Sequence, residues 1–310
     1  MKRSMQRPGI VVATALIGAL VGGCAVLTQP QVDAVADFAD ATKDFGTTPS
    51  AVIQAHGQLR RERGLLEAAS RTDAQVAVGD IERSLRMESE LDKIALRTSV
   101  ALDVLDEYAE MLGVLSSSRF TDDLQERAVA LGKSIDADIA TFNKLGGANV
   151  GSFGDVVAGI VRGAGGIWIR HEQERALKAA VTSAQAPVRD LTRAVETLMQ
   201  DYLAADKVDA FGSEAAHLES IMKRPTSHGW GVDGLTRYQN ALALSRSGEA
   251  LARSCQDSAR HYREAHEQLV AAITGGGKDL QGTIASIKAL AAEVQAGKRV
   301  RNEVKEARGS

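Results

Sequence analysis

The stretch TDDLQERAVALGKSIDADIATFNKL, residues 121–145, decides the fold class of this chain. Its apolar residues recur at intervals of three and four, which is the spacing of one face of an α-helix. Asp122 and Asp123 follow Thr121 and place negative charge in the first turn, where the helix dipole favours it. The stretch therefore predicts an amphipathic helix that must bury one face. Its apolar positions are Leu124, Ala128, Leu131, Ile135, Ile139, Phe142 and Leu145.

Similar stripes occupy most of the chain and predict six or seven helices, several of them longer than about 20 residues. Aromatic residues are only 4% of the chain and prolines number five, while helix-favouring residues are plentiful. Because each stripe is one-sided, the helices must pack on one another. We expect an all-α fold, an elongated multi-helix bundle with coiled-coil-like seams over residues 32–300, followed by a charged tail at 301–310.

The N-terminal residues have the layout of a secretory signal. Lys2, Arg3 and Arg7 precede an apolar run from Pro8 to Gly23 that ends at Cys24. The run has about 16 residues, whereas a bilayer core needs about 20. The sequence Leu-Val-Gly-Gly-Cys over residues 20–24 resembles the lipobox of bacterial lipoproteins, in which small residues precede an invariant cysteine.

This resemblance implies that residues 1–23 are removed as a lipoprotein signal peptide. Cys24 would then carry diacylglycerol on its sulfur and an acyl chain, such as palmitate, on its new amine. Two or three acyl chains hold a protein almost permanently on a membrane. Residues 24–31 would form a lipidated tether, and Ala25 in place of Asp implies the outer membrane, with the domain facing the periplasm.

Net charge and cysteine content bear on nucleic-acid binding and on disulfide formation. Removing residues 1–23 deletes three positive charges and moves the formal net charge from −3 to −6. This mildly acidic composition does not favour nucleic-acid binding, which usually shows as a basic face and a high isoelectric point. Once Cys24 is lipidated, Cys255 is the one remaining cysteine, so no intramolecular disulfide can form.

The segment 146–170 differs from the rest, because its glycines and apolar residues leave almost no polar face. Gly159 and Gly163 have the spacing that lets helices approach closely. Three interpretations stay open: a central helix enclosed by the long ones, a groove for a partner or a lipid chain, or an element that enters a bilayer. The third layout resembles helical pore-forming toxins, although Arg162 opposes a stable span. The possible contact residues are Val156, Val157, Ile160, Val161, Ile167, Trp168 and Ile169.

Two stretches match part of a metal-binding motif, but each lacks some of the required ligands. His171-Glu172 begins like the zinc motif His-Glu-x-x-His, but Arg175 stands where the second histidine belongs. Glu214 and His217 match one half of a di-iron bundle motif, which needs a second such pair and two more inward glutamates. The sequence therefore predicts no metal site and no cofactor.

A nucleophilic site is not indicated either. Cys255 and His266 lie on an apolar stripe, where both residue types are expected to be buried core residues. His261 and His266 are five residues apart, so they point about 140° apart on a helix. We therefore predict that the chain is not an enzyme.

These observations favour a lipid-anchored helical binding or scaffold protein of the bacterial cell envelope. Its partners would be the membrane, through Cys24, and either another envelope protein or a second copy of the chain. The alternative is a membrane-perturbing or lipid-binding protein that acts through the segment 146–170.

Overall fold

A computed structural model of the chain describes residues 27–43, 45–118, 121–146, 149–152, 170–203, 210–224, 229–276 and 279–309. Within these ranges all regular structure is helical, and no strand is present, which confirms the all-α prediction. Cys24 and the seven possible contact residues between Val156 and Ile169 lie outside the described residues.

The described helices are α1 (Gln29–Thr42), α2 (Thr47–Ala69), α3 (Ala74–Leu115), α4 (Asp122–Lys144), α5 (Arg170–Ser183), α6 (Gln185–Leu203), α7 (Ala210–Met222), α8 (Gly231–Thr274) and α9 (Leu280–Gly309). Ala184 alone divides α5 from α6, so the described residues contain eight helices if these two are counted as one. The expected six or seven was too low, because α7 was not predicted. Its buried apolar residues are few and lie among small residues.

Two local features explain helix boundaries that periodicity left uncertain. The carboxylate of Asp73 accepts hydrogen bonds from the backbone N–H groups of Gln75 and Val76, at 2.8 and 3.4 Å. This N-cap starts α3 directly after a short turn, so the stripe predicted to run on to Val76 is divided between two helices. Pro187 lies in the first turn of α6, where its missing N–H breaks no internal helix bond.

The core is one continuous cluster, and α8 and α3 supply its two longest elements, at 44 and 42 residues. α8 packs against α9, α6, α2 and α7, while α3 packs against α4, α2 and α1. At the centre, the rings of Phe38 and Tyr262 meet edge to face with centroids 5.3 Å apart. The Tyr108 hydroxyl and His266 Nε2 are hydrogen-bonded at 2.8 Å.

Both ends of the described chain are packed rather than free. α1 begins three residues before the predicted start at Val32, Leu27 is buried, and Gln31 donates a 2.7 Å hydrogen bond to the Ala272 carbonyl. Residues 27–31 of the expected tether are therefore in contact with the body. At the other terminus α9 continues to Gly309 through the range expected to be a charged tail, and Val304 is buried.

The end of the bundle where α1 begins, here called the N-terminal end, also holds the end of α8, as the bond from Gln31 to Ala272 shows. The last residue of α3 lies beside the first turn of α5, because Gln173 donates a 2.7 Å hydrogen bond to the Leu115 carbonyl. α1 runs antiparallel to α3, because Ala39 faces Gly113 while Gly46 faces Asp106, so the end of α3 lies at the N-terminal end.

The opposite end, here called the hairpin end, contains the turn at residues 70–73 between α2 and α3. Arg224, just after α7, forms a 3.6 Å ion pair with Glu67 near that turn. Trp230, at the start of α8, donates a 3.1 Å hydrogen bond to the Met222 carbonyl. At 1.5 Å per residue, the length of α8 separates the two ends by about 60 Å.

Candidate functional site

Exposed apolar side chains lie along the first half of α3, from the hairpin end to the middle of the helix, and four of them share one face. Val78, Leu85 and Leu96 are 55%, 56% and 55% exposed, and Ile81 is 37% exposed. We call these four residues the hairpin surface. Val232 and Leu235, in the first turns of α8, are also exposed at this end of the molecule. Isolated exposed leucines are normal in soluble proteins, whereas several on one helix face mark a surface that lacks a partner.

The hairpin surface continues a face of α3 that is covered further along the helix. Leu85 precedes Asp103 by 18 residues, and Val78 precedes Leu96 by the same interval, which is about five helical turns. α4 covers the later part of this face: Ser134 donates a 2.6 Å hydrogen bond to Glu107, and Arg127 donates one to Glu110 at 3.0 Å. The early part of the face therefore has the same direction as the covered part, but none of the described helices lies on it.

The uncovered half begins where α4 ends. The guanidinium of Arg97 lies over the ring of Phe142 at 5.4 Å, and α4 ends two residues later, at Lys144. Residues of α3 before Arg97 therefore extend beyond α4. Their packing partner is α2, which contacts α3 on a different face through Gly57 and Leu91.

The hairpin that carries this surface is held firmly at its turn. Arg71 donates a 2.8 Å hydrogen bond to Asp80, and Arg83 donates one at 3.0 Å to the same carboxylate. The bond from Arg71 holds the pKa of Asp80 below its usual range. A Cβ at Gly64 would lie 2.5 Å from Ser84 Oγ, so glycine lets α2 and α3 approach closely. The hairpin surface is thus presented on two well-anchored helices.

Glu214 and His217, the residues of the partial di-iron motif, do not form a metal site. Glu214 is buried, and it forms ion pairs with Arg63 at 2.8 Å and with Arg60 at 3.5 Å. Burial raises the pKa of Glu214, although both arginines oppose the shift. The ion pairs of Glu214 with Arg60 and Arg63 instead join α7 to α2. Removing one partner would leave a buried charge unpaired and would destabilise the fold.

His56 lies beside this ion pair in the neutral form. Burial, together with the positive charges of Arg60 and Arg63, lowers its pKa to about 4. The His56 ring lies 5.4 Å from that of Phe211, in an edge-to-face arrangement. His56 is therefore a packing residue at the contact between α2 and α7.

Cys255 and His266 occupy the core, as their apolar stripe predicted. Burial raises the pKa of the Cys255 thiol, which keeps it protonated and poorly nucleophilic. Burial lowers the pKa of His266 to about 3, so this histidine is neutral beside Tyr108. His261 Nδ1 lies 2.9 Å from the carbonyl of Asp257 in its own helix. Over the described ranges no three His, Cys, Asp or Glu side chains are close enough to hold a metal ion.

A groove of about 540 Å³ lies between α3, α4 and α6. Its lining carries two basic and two acidic side chains: Arg97, Arg193, Asp190 and Asp201. The balance of charge selects neither an anion nor a cation. The groove is one turn from the point where α4 ends, and we assign it no ligand.

Only the first part of the apolar glycine-rich segment is described. Val150 is buried, and it exchanges two hydrogen bonds with the Asn143 side chain, at 2.9 and 3.0 Å. The three interpretations of the segment all concern residues outside the described ranges. Among the helices that the structure does describe, none has the length and hydropathy required to cross a membrane.

Sequence reasoning did not identify the hairpin surface, because Leu85 belonged to a long apolar stripe that was predicted to be buried, and Val78, Ile81 and Leu96 belonged to no predicted stripe. Helix length could have provided a signal. α3 has 42 residues and α4 has 23, so a sequential pair of this kind must leave part of the longer helix uncovered unless another element packs there. Comparison with protein-family profiles, with curated proteins and with solved structures found no match for this chain.

Proposed function

We propose that this chain is a lipid-anchored helical binding or scaffold protein of the bacterial cell envelope, with no catalytic role. One observation carries the proposal: the hairpin surface begins at the end of the helical body opposite to Leu27, and the lipobox-like sequence ends three residues before Leu27. An anchor at one end and a partner-binding surface at the other is the arrangement that a scaffold needs. The long helices would meet in coiled-coil-like seams and make the body elongated.

The short connection between anchor and body supports this arrangement. Leu27 is already buried in the core, and it follows Cys24 by three residues. Three residues span at most about 11 Å when fully extended. A lipidated Cys24 would therefore hold the N-terminal end against the membrane, with little freedom to turn over.

The length of the body would carry the hairpin surface away from that membrane. Gly231 and Ala272 lie at opposite ends of α8, and α1 begins beside Ala272. If the body stands upright on an outer membrane, the hairpin end would reach about 60 Å into the periplasm. A partner there would meet apolar side chains that are not exposed to lipid.

The anchor is tested by replacing Cys24 with Ser and following incorporation of labelled palmitate in cells. We expect the variant to lose the label and to leave the membrane fraction. Labelling and fractionation equal to those of the unchanged chain would overturn the anchor.

The binding role is tested by crosslinking in intact envelopes, followed by purification of the chain. We expect Leu85→Asp to reduce the crosslinked species, because a charge on the hairpin surface would have to be desolvated on binding. Ala130→Asp is the matched control, since Ala130 is exposed on α4 and away from this surface. Equal crosslinking by both variants would contradict a role for the hairpin surface.

The alternative function is membrane perturbation or lipid binding through the segment 146–170. It is supported by composition, because Arg162 is the sole charge between Asp155 and Arg170. The purified mature chain, lacking Cys24, would then release dye from liposomes, and Ile160→Asp would abolish the release. If the unchanged chain released no dye, this alternative would be excluded and the scaffold proposal would be unaffected.

A further inference from the structure

We propose that α4 is a pH-dependent strap, whose contact with α3 tightens in mild acid and loosens at neutral pH because carboxylates of the two helices face one another across it. Loosening of α4 would uncover the later part of the α3 face that the hairpin surface continues. The motion takes place within one chain, and it requires neither the proposed lipid anchor nor a partner.

α4 is attached to the body through one neighbour. Among the described helices, α3 is the one against which α4 packs extensively. Grooves of about 540 and about 610 Å³ lie at the two ends of α4, between it and the other nearby helices. Phe142 lines the first groove opposite α6, and Leu124 lines the second opposite α1. Moving α4 would therefore break one helix contact and leave the rest of the core in place.

The contact between α3 and α4 has an apolar part and an acidic part. Ile135, Ile139 and Phe142 of α4 are buried and hold the strap in place. Beside them, Ser134 donates a 2.6 Å hydrogen bond to Oε1 of Glu107. The other oxygen, Oε2, is buried and has no hydrogen-bond partner among the described residues. Burial without a donor disfavours the ionised form of this carboxylate.

Carboxylates of both helices make up the acidic part. We call Asp103 and Glu107 of α3 and Asp138 of α4 the acidic seam. Burial raises the pKa of Asp103, and the negative charge of Asp138 acts in the same direction. Burial is also the main cause of the raised pKa of Glu107, to which Asp138 and Glu110 add. Each α3 carboxylate of the seam is therefore easier to protonate while α4 is in place.

The other groups at the contact do not cancel this repulsion. Hydrogen bonds from Ser99 and Ser134 oppose the rise in pKa without overcoming it. Within the described part of the chain, no lysine or arginine acts by its charge on the α3 carboxylates of the seam. Arg127 of α4 donates its hydrogen bond to Glu110 instead. The charges that act on the α3 carboxylates are thus all negative at neutral pH.

The direction of the pH dependence follows from these shifts. A carboxyl whose pKa is higher with α4 closed than with α4 open binds its proton more tightly in the closed state. Closure is therefore favoured progressively as the pH falls from neutral towards the ordinary pKa of Asp and Glu, at about 4. His56 and His266 act in the opposite direction, but neither lies on α4, and they affect the unfolding of the whole chain.

The test is amide hydrogen exchange of the purified chain from Ala25 to Ser310, measured by mass spectrometry and corrected for the intrinsic effect of pH on exchange. We expect peptides from α4 to be about three- to tenfold more protected at pH 5 than at pH 7.5, since solvent screening of the partly exposed seam limits the effect. Peptides from the buried part of α8 should show no such gain.

Three variants isolate the seam. D138N should raise the protection of α4 at pH 7.5 and remove most of the gain in acid. E126Q is the matched control and should keep the gain, because Glu126 is exposed on the same helix about 120° around it from Asp138. D138K should reverse the sign, since a lysine would pair with the α3 carboxylates at neutral pH and lose these partners in acid. A change in helix propensity alone would not reverse it.

Three outcomes would overturn the strap. One is protection of α4 that stays the same between pH 5 and pH 7.5. Another is a gain in D138N equal to that of the unchanged chain. The third is a parallel change in α4 and α8, which would show that α4 opens only when the whole fold opens.

Discussion

The two halves of α3 carry similar apolar patterns but have opposite environments. In the second half, Leu105, Tyr108 and Leu112 are fully buried beneath neighbouring helices. In the first half, Val78 and Leu85 are more than half exposed, although they occupy an apolar stripe of the same helix. The difference lies in which way the side chains face, because Leu105, Tyr108 and Leu112 lie about 120–180° around α3 from Val78. Tyr108 and Leu105 contact His266 and Tyr262 of α8. An amphipathic pattern thus specifies a need for a partner without specifying that the chain itself supplies one.

The two halves of α3 are compared most directly by replacing one leucine in each half with alanine. Leu105→Ala should lower the free energy of unfolding by about 2–5 kcal/mol, because it leaves a cavity in the core. Leu85→Ala should change it by no more than about 0.5 kcal/mol in dilute solution, since the side chain is exposed. Urea denaturation followed by circular dichroism measures both. Similar losses in the two variants would mean that the halves do not differ as described.

Acid should destabilise the folded chain, because His56 and His266 are buried in the neutral form. His56 and His266 have folded pKa values of about 4 and about 3, below the ordinary value of 6.5. Their protons therefore bind more readily in the unfolded state, so stability is full above about pH 6.5 and is lost as the pH falls. For His56 the loss should be about 3 kcal/mol, complete near pH 4.

His56→Gln isolates that contribution. We expect the variant to lose less stability than the unchanged chain between pH 6.5 and pH 4, because the titrating group is gone. Unfolding midpoints in urea at several pH values would measure the slope. An identical slope in the variant and the unchanged chain would assign the acid sensitivity to other groups.

Two glycines provide the next comparison. Gly248→Ala should destabilise the chain by about 1–3 kcal/mol, because the added methyl group would overlap the ring of Phe211 where α7 packs on α8. Gly79→Ala should be neutral or stabilise by up to about 1 kcal/mol, since a Cβ there meets nothing within 4 Å and alanine favours the helix. Thermal melts of the two variants should shift in opposite directions. A clear loss at Gly79 would reveal a hidden neighbour of the uncovered half.

The smallest effect is expected at the hairpin turn. Asp73→Ala removes the acceptor for the N–H groups of Gln75 and Val76, and it should cost about 1 kcal/mol. Hydrogen exchange should increase in the first turns of α3 and remain unchanged in its second half. A uniform increase along α3 would indicate that the hairpin and the core unfold as one unit.

Local sequence rules predicted much of the helical structure but not its boundaries or its exposure. The stripe over residues 121–145 became α4, and Cys255 and His266 are buried as their stripe indicated. The turn before α3 was missed, because the capping role of Asp73 is a local side-chain contact that periodicity does not detect. α7 was missed because its contacts with Arg60 and Arg63 come from a distant segment, and they stabilise a helix whose own apolar pattern is weak.

The sequence by itself determined the all-α class, the mildly acidic formal charge and the lipobox-like stretch ending at Cys24, because composition, periodicity and a contiguous motif are local properties. Only the tertiary structure decided which apolar stripe is buried and which is exposed. Burial depends on the lengths of helices packed side by side, and α4 is too short to cover α3. The exposure of the hairpin surface therefore follows only from the relative placement of α3 and α4 in the tertiary structure.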